Sequence, residues 1–290
     1  MAATIVDGKA IATQVEDQVR RQIAAWRDAG HPSPGLHVVL CGDDPASATY
    51  VAGKARASER VGIRSEVHRP PADSSTEELL ALVGRLGGDD EVDAILVQVP
   101  LPPQIDSGRV LDAVAPEKDV DGFHPVNFGL LAEGRPRIAP CTPLGCMEIL
   151  RHHEVPVRGA RAVVVGRSTI VGRPMALLLT NADATVTVCH SRTADLAGVC
   201  READILVAAT GKVDMIDGSF VKPGAAVIDV GNTRVGGRVR GDVDRESVEP
   251  IAGLLTPVPG GVGPMTIAML MSNAVALAAA RRGLAVTGAA

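Results

Sequence analysis

The strongest constraint on the fold is an alternation of short strand-like runs with helical segments, which occurs twice along the chain. In the first half, strand candidates at 36–41, 64–68 and 94–99 are separated by helical patterns. Strands that alternate with helices predict parallel sheets, so we expect an α/β protein. The second half contains four buried-strand runs, at 162–165, 185–189, 204–208 and 225–230.

Two such series predict two domains. The 290 residues exceed one typical core, and 46% hydrophobic residues are enough for two. Between the series, residues 116–143 are rich in glycine, proline and charge and show no clear period, as expected of a boundary or an active-site loop. We predict one domain over 1–139, completed by a C-terminal helix at 270–290, and a second over 140–269, with a cleft between them.

Composition excludes several classes of partner. The net charge is −5 and no dense run of lysine or arginine occurs, which argues against nucleic acid or a membrane surface as a partner. Residues 1–10 lack an apolar stretch of the signal-peptide type. The longest apolar run, 267–280, contains Ser272 and Asn273 and is too short to cross a bilayer. We expect a soluble, cytoplasmic protein.

The cysteines and histidines do not predict a metal site. The five cysteines are odd in number and show no metal-ligand spacing, which is typical of reduced thiols. His152 and His153 are adjacent and cannot share a helix face, so we interpret them as surface residues near a helix end. We expect no bound metal.

A glycine-containing turn follows the first strand of the second series. Gly166 comes directly after that strand, Arg167 and Ser168 follow, and Gly172 stands where the next helix begins. Backbone amides and the helix dipole can bind phosphate at such a turn. The spacing differs from G-x-G-x-x-G, and similar turns also occur for packing alone. We predict that Gly166, Arg167 and Ser168 bind a nucleotide in a Rossmann-like domain.

The end of the next strand favours NADP over NAD. Ser191 and Arg192 follow that strand, at the place where a dinucleotide-binding fold meets the adenosine ribose. A hydroxyl and a guanidinium can bind a 2′-phosphate, whereas NAD selection uses an acidic residue. Arg192 could instead cap an exposed turn. Further residues lie at the carboxyl ends of the third and fourth strands of this series and could hold the nicotinamide end: Thr210, Gly211, Gly231 and Asn232. Asp229 could either contribute or serve as a turn residue.

A second candidate site lies in the segment GDDPASATYVAGK, residues 42–54, which contains the only tyrosine. Pro45 suits a first helical position with aspartates before it as caps, so Tyr50 and Lys54 share one helix face. The pair matches the Y-x-x-x-K motif of short-chain dehydrogenases. The order of motifs argues against that family, because there the glycine-rich turn precedes the pair.

Taken together, the motifs resemble the bifunctional methylenetetrahydrofolate dehydrogenase/methenyltetrahydrofolate cyclohydrolase family over nearly the whole chain. Six blocks occur in the family's order, and several are long enough to be specific. They are GDDPAS with YVAGK at 42–54, ILVQVPLP at 95–102, KDVDGFHP at 118–125, PCTPLG at 140–145, GRSTIVGRPM at 166–175 and TPVPGGVGPMT at 256–266.

The resemblance implies two successive reactions on one-carbon derivatives of tetrahydrofolate. The first is NADP-dependent oxidation of 5,10-methylenetetrahydrofolate, and the second is hydrolysis of the methenyl product to 10-formyltetrahydrofolate. Lys54 is implied as the proton-transferring group and Gln98 as its hydrogen-bond partner. Tyr50 is implied to stack on the folate and Asp121 to bind the pterin edge, with Ser47 and the loop Pro259, Gly260, Gly261 and Val262 lining the same cleft.

The resemblance also implies a homodimer, and a hairpin at 234–244 could reach a neighbouring subunit. Asn232 is followed by Thr233 and Arg234, which departs from the family pattern and affects its predicted role at the nicotinamide. Two other functions remain open at this point: a short-chain-type NADP-dependent carbonyl reductase, and a non-catalytic folate- or nucleotide-binding module.

Overall fold

The computed structural model describes residues 2–285, apart from the side chain of Ala46. The predicted C-terminal segment 270–290 therefore lies outside the described residues from 286 onward. In chain order the elements are β1 (Thr4–Ile5), α1 (Gly8–Asp28), β2 (Gly35–Val39), α2 (Pro45–Val61), β3 (Arg64–His68), α3 (Thr76–Gly88), β4 (Ala94–Val97), α4 (Ser107–Asp112), α5 (Pro125–Ala132), α6 (Cys141–His152), β5 (Arg161–Val165), α7 (Gly172–Asn181), β6 (Thr185–Cys189), α8 (Leu196–Cys200), β7 (Ile205–Ala208), β8 (Ala226–Asp229), β9 (Thr233–Val235), β10 (Arg238–Arg240), α9 (Arg245–Val248), β11 (Leu254–Leu255) and α10 (Val262–Arg282).

The chain divides into two compact units. Unit 1 comprises residues 1–12 and 140–266, and unit 2 comprises residues 13–139 and 267–290. Both are built on parallel strands connected by helices, which confirms the predicted α/β class.

Unit 2 contains a three-stranded parallel sheet in the order β3-β2-β4. One hydrophobic core cluster lies between this sheet and α3, where Leu79 and Val83 pack with Val39, Ile95 and other apolar side chains. The helix α2 begins at Pro45, as predicted. Asp44 caps its first turn by accepting from the Ser47 amide, Pro45 fills the first position, and Gly62 ends it with a φ of 88°.

Unit 1 contains a six-stranded parallel sheet in the order β1-β11-β8-β7-β5-β6. The chain moves outward from β5 to β6 and then crosses back to β7 on the other side. The carboxyl end of β5 is therefore a topological switch point, where open α/β sheets bind ligands. The glycine turn that the sequence predicted as a nucleotide site follows β5 directly.

Several short elements were not predicted. Residues 116–143 contain α5 although no period was visible, because eight residues beginning at Pro125 with His124 as cap are too few to define one. The helix α4 and the two-residue strands β1 and β11 were missed for the same reason. The predicted hairpin is confirmed: β9 and β10 pair antiparallel, and Gly236 and Gly237 form the turn with positive φ angles.

The apolar run at 267–280 was expected to be too short to cross a bilayer, but the helix α10 that contains it has 21 residues and is long and apolar enough by length and composition alone, with a mean hydropathy of 1.6. However, 61% of its apolar window is buried inside the protein, as in the core helix of a soluble protein. Its buried side chains include Met265, Met271 and Leu277.

Candidate active site

The amino group of Lys54 lies in a defined hydrogen bond inside unit 2. Lys54 is on α2 and is only 8% exposed, and its Nζ donates to Oε1 of Gln98 at 3.1 Å. Gln98 follows β4 directly, and its Nε2 donates to the Val99 carbonyl at 2.7 Å. This second bond fixes the amide orientation, so the oxygen of Gln98 faces the lysine. An amine held in this way keeps two further N–H groups or a lone pair for a ligand.

Two other predicted residues share α2 with Lys54. Ser47 is buried, and its amide donates to the capping carboxylate of Asp44 at 2.7 Å. Tyr50 is 38% exposed. The spacing 47, 50, 54 puts the three residues on one face of the helix. The structure therefore brings a hydroxyl, a phenol ring and an amine together along that face.

Asp121 follows a segment that is hydrogen-bonded to the sheet of unit 2. Asp119 forms a parallel bridge with Ile95 of β4, so the chain runs toward the Gln98 end of that strand. The Asp119 carboxylate accepts from the His124 amide and from Nδ2 of Asn127, each at 2.9 Å. Asp121 itself is half-buried. The supporting role of Asp119 was not predicted, although Asp119 lies in the block KDVDGFHP that carries part of the family resemblance.

The glycine turn of unit 1 requires glycine at two positions. A Cβ on Gly166, whose φ is 134°, would overlap the carbonyl oxygen of Ala209, and a Cβ on Gly172 would overlap the carbonyl oxygen of Gly166. Ser168 Oγ accepts from the Val171 and Gly172 amides at 3.2 and 3.3 Å. Arg167 and Ser168 are exposed. The turn thus presents a cation and a helix N-terminus without side-chain bulk, which fits a pyrophosphate.

Ser191 and Arg192 lie at the carboxyl end of β6, beside β5 in the sheet. Both are exposed, and the turn is held by the His190 amide donating to Thr193 Oγ1 at 2.9 Å. A hydroxyl and a guanidinium next to the phosphate-binding turn suit the 2′-phosphate of NADP. Together with the glycine turn, they give a residue set that fits this cofactor.

The backbone amides of Thr210 and Gly211 already have a partner within unit 1. Both donate to the buried carboxylate of Asp242, at 3.0 Å for Gly211. Sequence analysis did not identify Asp242, because it lies just after β10, about thirty residues further along the chain. Its side chain holds the backbone of the predicted nicotinamide site. Thr210 and Gly211 can bind a ligand there through groups other than these two amides.

Asp229 is a turn residue of the same edge. Its carboxylate accepts from the amides of Gly231 at 2.8 Å, Asp242 at 2.9 Å and Val243 at 3.0 Å. Burial raises the pKa of Asp229 to about 6, and the three backbone donors oppose this rise. Asn232, which follows this network, is exposed. A cavity of about 370 Å³ lies here, lined by Asp229, Gly241, Thr256, Pro257 and Val258 among others.

The loop Pro259, Gly260, Gly261 and Val262 belongs to unit 1 and leads into α10. The Val258–Pro259 peptide bond is cis, and the Gly261 amide donates to the Pro257 carbonyl at 2.8 Å. A Cβ on Gly261 would approach that carbonyl oxygen to 2.7 Å, so the turn needs glycine.

The larger cavity of unit 1 is not at the predicted site. It measures about 720 Å³ and opens at the amino ends of the strands, where Thr4, Ala160, Ile205 and Gly253 line it. Parallel α/β sheets bind ligands at the carboxyl ends of their strands, so volume alone does not identify the functional site.

A parallel α/β unit with a phosphate-binding turn at its switch point, in one chain with a buried lysine–amide pair, is typical of a nucleotide-dependent enzyme. Two family models match the chain: "Tetrahydrofolate dehydrogenase/cyclohydrolase, catalytic domain" over residues 6–121, and "Tetrahydrofolate dehydrogenase/cyclohydrolase, NAD(P)-binding domain" over residues 140–282. The chain belongs to the tetrahydrofolate dehydrogenase/cyclohydrolase family.

Individual relatives agree with this assignment. The chain is 53% identical to the bifunctional protein FolD of Koribacter versatilis, over 98% of this chain and 99% of the relative. It is 56% identical to that of Sorangium cellulosum, over 97% and 99%. The FolD structure of Campylobacter jejuni matches with a TM-score of 0.94 at 46% identity, over 97% and 100%. The Trypanosoma brucei enzyme, complexed with NADP and an inhibitor, matches with a TM-score of 0.91 at 41% identity, over 96% and 97%.

These findings confirm the family, the two-domain α/β fold and the bifunctional dehydrogenase and cyclohydrolase activity predicted from the sequence. They support NADP as the cofactor. A carbonyl reductase and a non-catalytic binding module are not favoured.

Proposed function

We propose that Lys54 transfers the proton in the cyclohydrolase step and that Gln98 positions its amine. The observation that carries this proposal is the 3.1 Å hydrogen bond between the buried Nζ of Lys54 and Oε1 of Gln98. In this step water adds to the one-carbon cation of 5,10-methenyltetrahydrofolate and the bond from that carbon to N5 breaks. Lys54 accepts the proton of the attacking water and returns it to N5 as the carbon–N5 bond breaks, and the hydroxyl proton of the adduct leaves to solvent as the formyl group forms. An arginine cannot replace the amine, because a guanidinium does not release its proton.

The dehydrogenase step needs positioning more than proton transfer. Bound NADP⁺ supplies a hydride acceptor for the bridge carbon of 5,10-methylenetetrahydrofolate. The folate nitrogens stabilise the resulting cation, so no side chain has to remove a proton. The chain's contribution is to hold the reacting carbon and the cofactor in reacting geometry.

Substrate orientation falls to side chains of unit 2. The exposed ring of Tyr50 stacks on the aromatic part of the folate, one helical turn from Lys54. The half-buried Asp121 accepts hydrogen bonds from the amino-pyrimidine edge of the pterin. Ser47, on the same face of α2, contributes a further contact with the substrate.

Cofactor binding falls to unit 1. The turn at Gly166, Arg167 and Ser168 holds the pyrophosphate, and Ser191 with Arg192 holds the 2′-phosphate. The nicotinamide end lies by Thr210, Gly211, Gly231 and Asn232. In terms of domains, residues 1–139 with the C-terminal helix bind folate, and residues 140–269 bind NADP.

We further propose a cytoplasmic homodimer whose partners are small folate derivatives rather than nucleic acid or membrane. Family membership supports the folate partner, and the exposed β9–β10 hairpin, with Val235 at 47% exposure, is a surface through which two copies can meet. Sedimentation of the purified chain tests the dimer.

Lysine substitution tests the central proposal. Lys54→Met removes the proton acceptor, so we expect cyclohydrolase activity to fall at least about 100-fold while folate binding is retained. Lys54→Arg should not restore it. Arg56→Met on the same helix, where the side chain is exposed, is the matched control and should keep both activities. The readout is methenyltetrahydrofolate absorbance with the substrate and NADP⁺.

Three experimental outcomes would contradict the proposed function, in whole or in part. Full ring opening by Lys54→Met would remove Lys54 from the mechanism. Turnover of simple carbonyls with NADPH, in place of folate oxidation, would support the carbonyl reductase. Tight folate binding by the unmodified chain without any turnover would support a binding module.

A further inference from the structure

A histidine–glutamate–histidine cluster lies on one face of the unit 2 sheet, away from Lys54 and Gln98. His37 on β2 is in register with Glu66 on the neighbouring edge strand β3. His68 lies two residues further along β3, so its side chain projects from the same face as that of Glu66. The sheet therefore presents two imidazoles and one carboxylate side by side.

The donor atoms of the cluster are close together. Nδ1 of His37 lies 2.9 Å from Nε2 of His68, and the rings stack with centroids 5.1 Å apart. Oε1 of Glu66 is 3.7 Å from Nδ1 of His68. One ligand atom from each residue lies within 4.8 Å of the other two. Two nitrogens bound to a tetrahedral zinc ion at 2.0–2.1 Å are roughly 3.3 Å apart, so a small separation of the rings would admit the ion.

We propose that His37, Glu66 and His68 form a binding site for a divalent transition metal, with Zn²⁺ as the best match. Two imidazole nitrogens and a carboxylate are a common zinc ligand set, and water completes the coordination. Solvent access is sufficient, because the side chain of Glu66 is 65% exposed and that of His68 is 21% exposed. Two charged side chains nearby, Asp89 and Arg64, have opposite signs, so their effects on the site oppose each other.

The site is independent of the folate chemistry. His37 pairs with Ile95, three positions before Gln98, and none of the three ligands belongs to the predicted folate or NADP residues. The metal would tie the edge strand β3 to β2, a structural role. Sequence analysis expected no metal because the ligands come from two strands and show no ligand spacing.

Zinc titration of the tag-free, chelator-treated chain tests the site. We expect one Zn²⁺ per chain by calorimetry and a rise of Tm with added zinc. Zinc affinity should fall about 10- to 100-fold in Glu66→Gln and be lost in His68→Gln. The control is His31→Gln, an exposed histidine of the same unit, which should bind as the unmodified chain does.

Cobalt gives a second readout that does not depend on stability. Co²⁺ in the unmodified chain should show the intense visible bands of a four-coordinate site, and His68→Gln should not. Because Glu66 is exposed, Glu66→Gln should fold normally and keep its dehydrogenase activity. Absence of zinc binding by the unmodified chain, or equal binding by His68→Gln, overturns the proposal and leaves a plain histidine–histidine hydrogen bond.

Discussion

At the scale of single residues, each proposed site combines side chains that ligands must reach with side chains that only hold the backbone. Lys54 and Arg192 belong to the first kind. Asp242 and Asp119 belong to the second, since their buried carboxylates accept backbone or amide donors. Residues of the first kind were recognisable from motifs. Those of the second kind were not, because the backbone and side-chain amides that they bind are identified only once the chain has folded.

Arg192 should discriminate between the two nicotinamide cofactors. A charge-assisted bond to a 2′-phosphate is worth about 1.5–3 kcal/mol. Arg192→Ala should therefore weaken NADP⁺ binding by roughly 10- to 100-fold and leave NAD⁺ binding nearly unchanged. The measurement is the Kd of each cofactor, with Arg158→Ala as the control, since Arg158 lines the cavity at the opposite edge of the sheet. Equal weakening of both cofactors would contradict the assignment.

Asp229 should make the stability of the chain depend on pH in an unusual direction for a carboxylate. Burial raises its pKa from 3.8 to about 6, so the folded state binds the proton more tightly than the unfolded state. This contribution to stability is fully present below about pH 3.8 and is lost as pH rises through about 6.

Asp229→Asn removes that titration. The difference in free energy of unfolding, wild type minus variant, should fall by roughly 2 kcal/mol between pH 4 and pH 6 and become level above about pH 7. Urea unfolding followed by far-UV circular dichroism at several pH values measures the difference. A difference that rises over this interval would show that the three amide donors outweigh burial.

At the scale of elements, helix ends were predictable where local capping groups accompany a visible helical period. The bounds of α2 follow from Asp44, Pro45 and Gly62, and α3 begins with a capping box in which Ser75 and Glu78 exchange hydrogen bonds. The short helices α4 and α5 lack a visible period, and β11 pairs with β1 and β8, which are distant in sequence. Local chemistry could not reveal them.

Two glycine substitutions should change stability in opposite directions. Gly62→Ala forces a Cβ into a φ of 88° and should destabilise unit 2 by about 1–2 kcal/mol. Gly84 lies inside α3 with open space around it, so Gly84→Ala should stabilise by about 0.5–1 kcal/mol. Fluorescence of Trp26, the only tryptophan and part of unit 2, reports the unfolding. Effects of the same sign would contradict this account.

At the scale of the whole molecule, each unit is built from two separate stretches of the chain. In unit 2 the end of α10 is connected to the first stretch of the unit by Asp93, which is fully buried at the start of β4. Its carboxylate accepts from the Gly35 amide at 2.8 Å and forms ion pairs with Arg281 and Arg282 at the end of α10. This contact joins residues nearly two hundred positions apart.

Removal of Asp93 should therefore weaken unit 2 strongly. Asp93→Ala leaves two partly buried guanidinium groups and a buried amide without their acceptor, which costs about 3–5 kcal/mol. Asp90→Ala, whose side chain is fully exposed, is the control and should change stability by at most about 0.5 kcal/mol. Trp26 fluorescence during urea unfolding measures both. Comparable effects of the two substitutions would exclude the buried ion pairs as a major contribution.

The sequence by itself determined the α/β class, most helix and strand bounds, the family and the motif residues, because each depends on periodicity, capping or contiguous blocks. Only the tertiary structure decided the Asp242 and Asp93 networks and the His37–Glu66–His68 cluster. These depend on which strands become neighbours. Strand order and register are set by packing of the whole chain, so side chains far apart in sequence meet only once the sheets have formed.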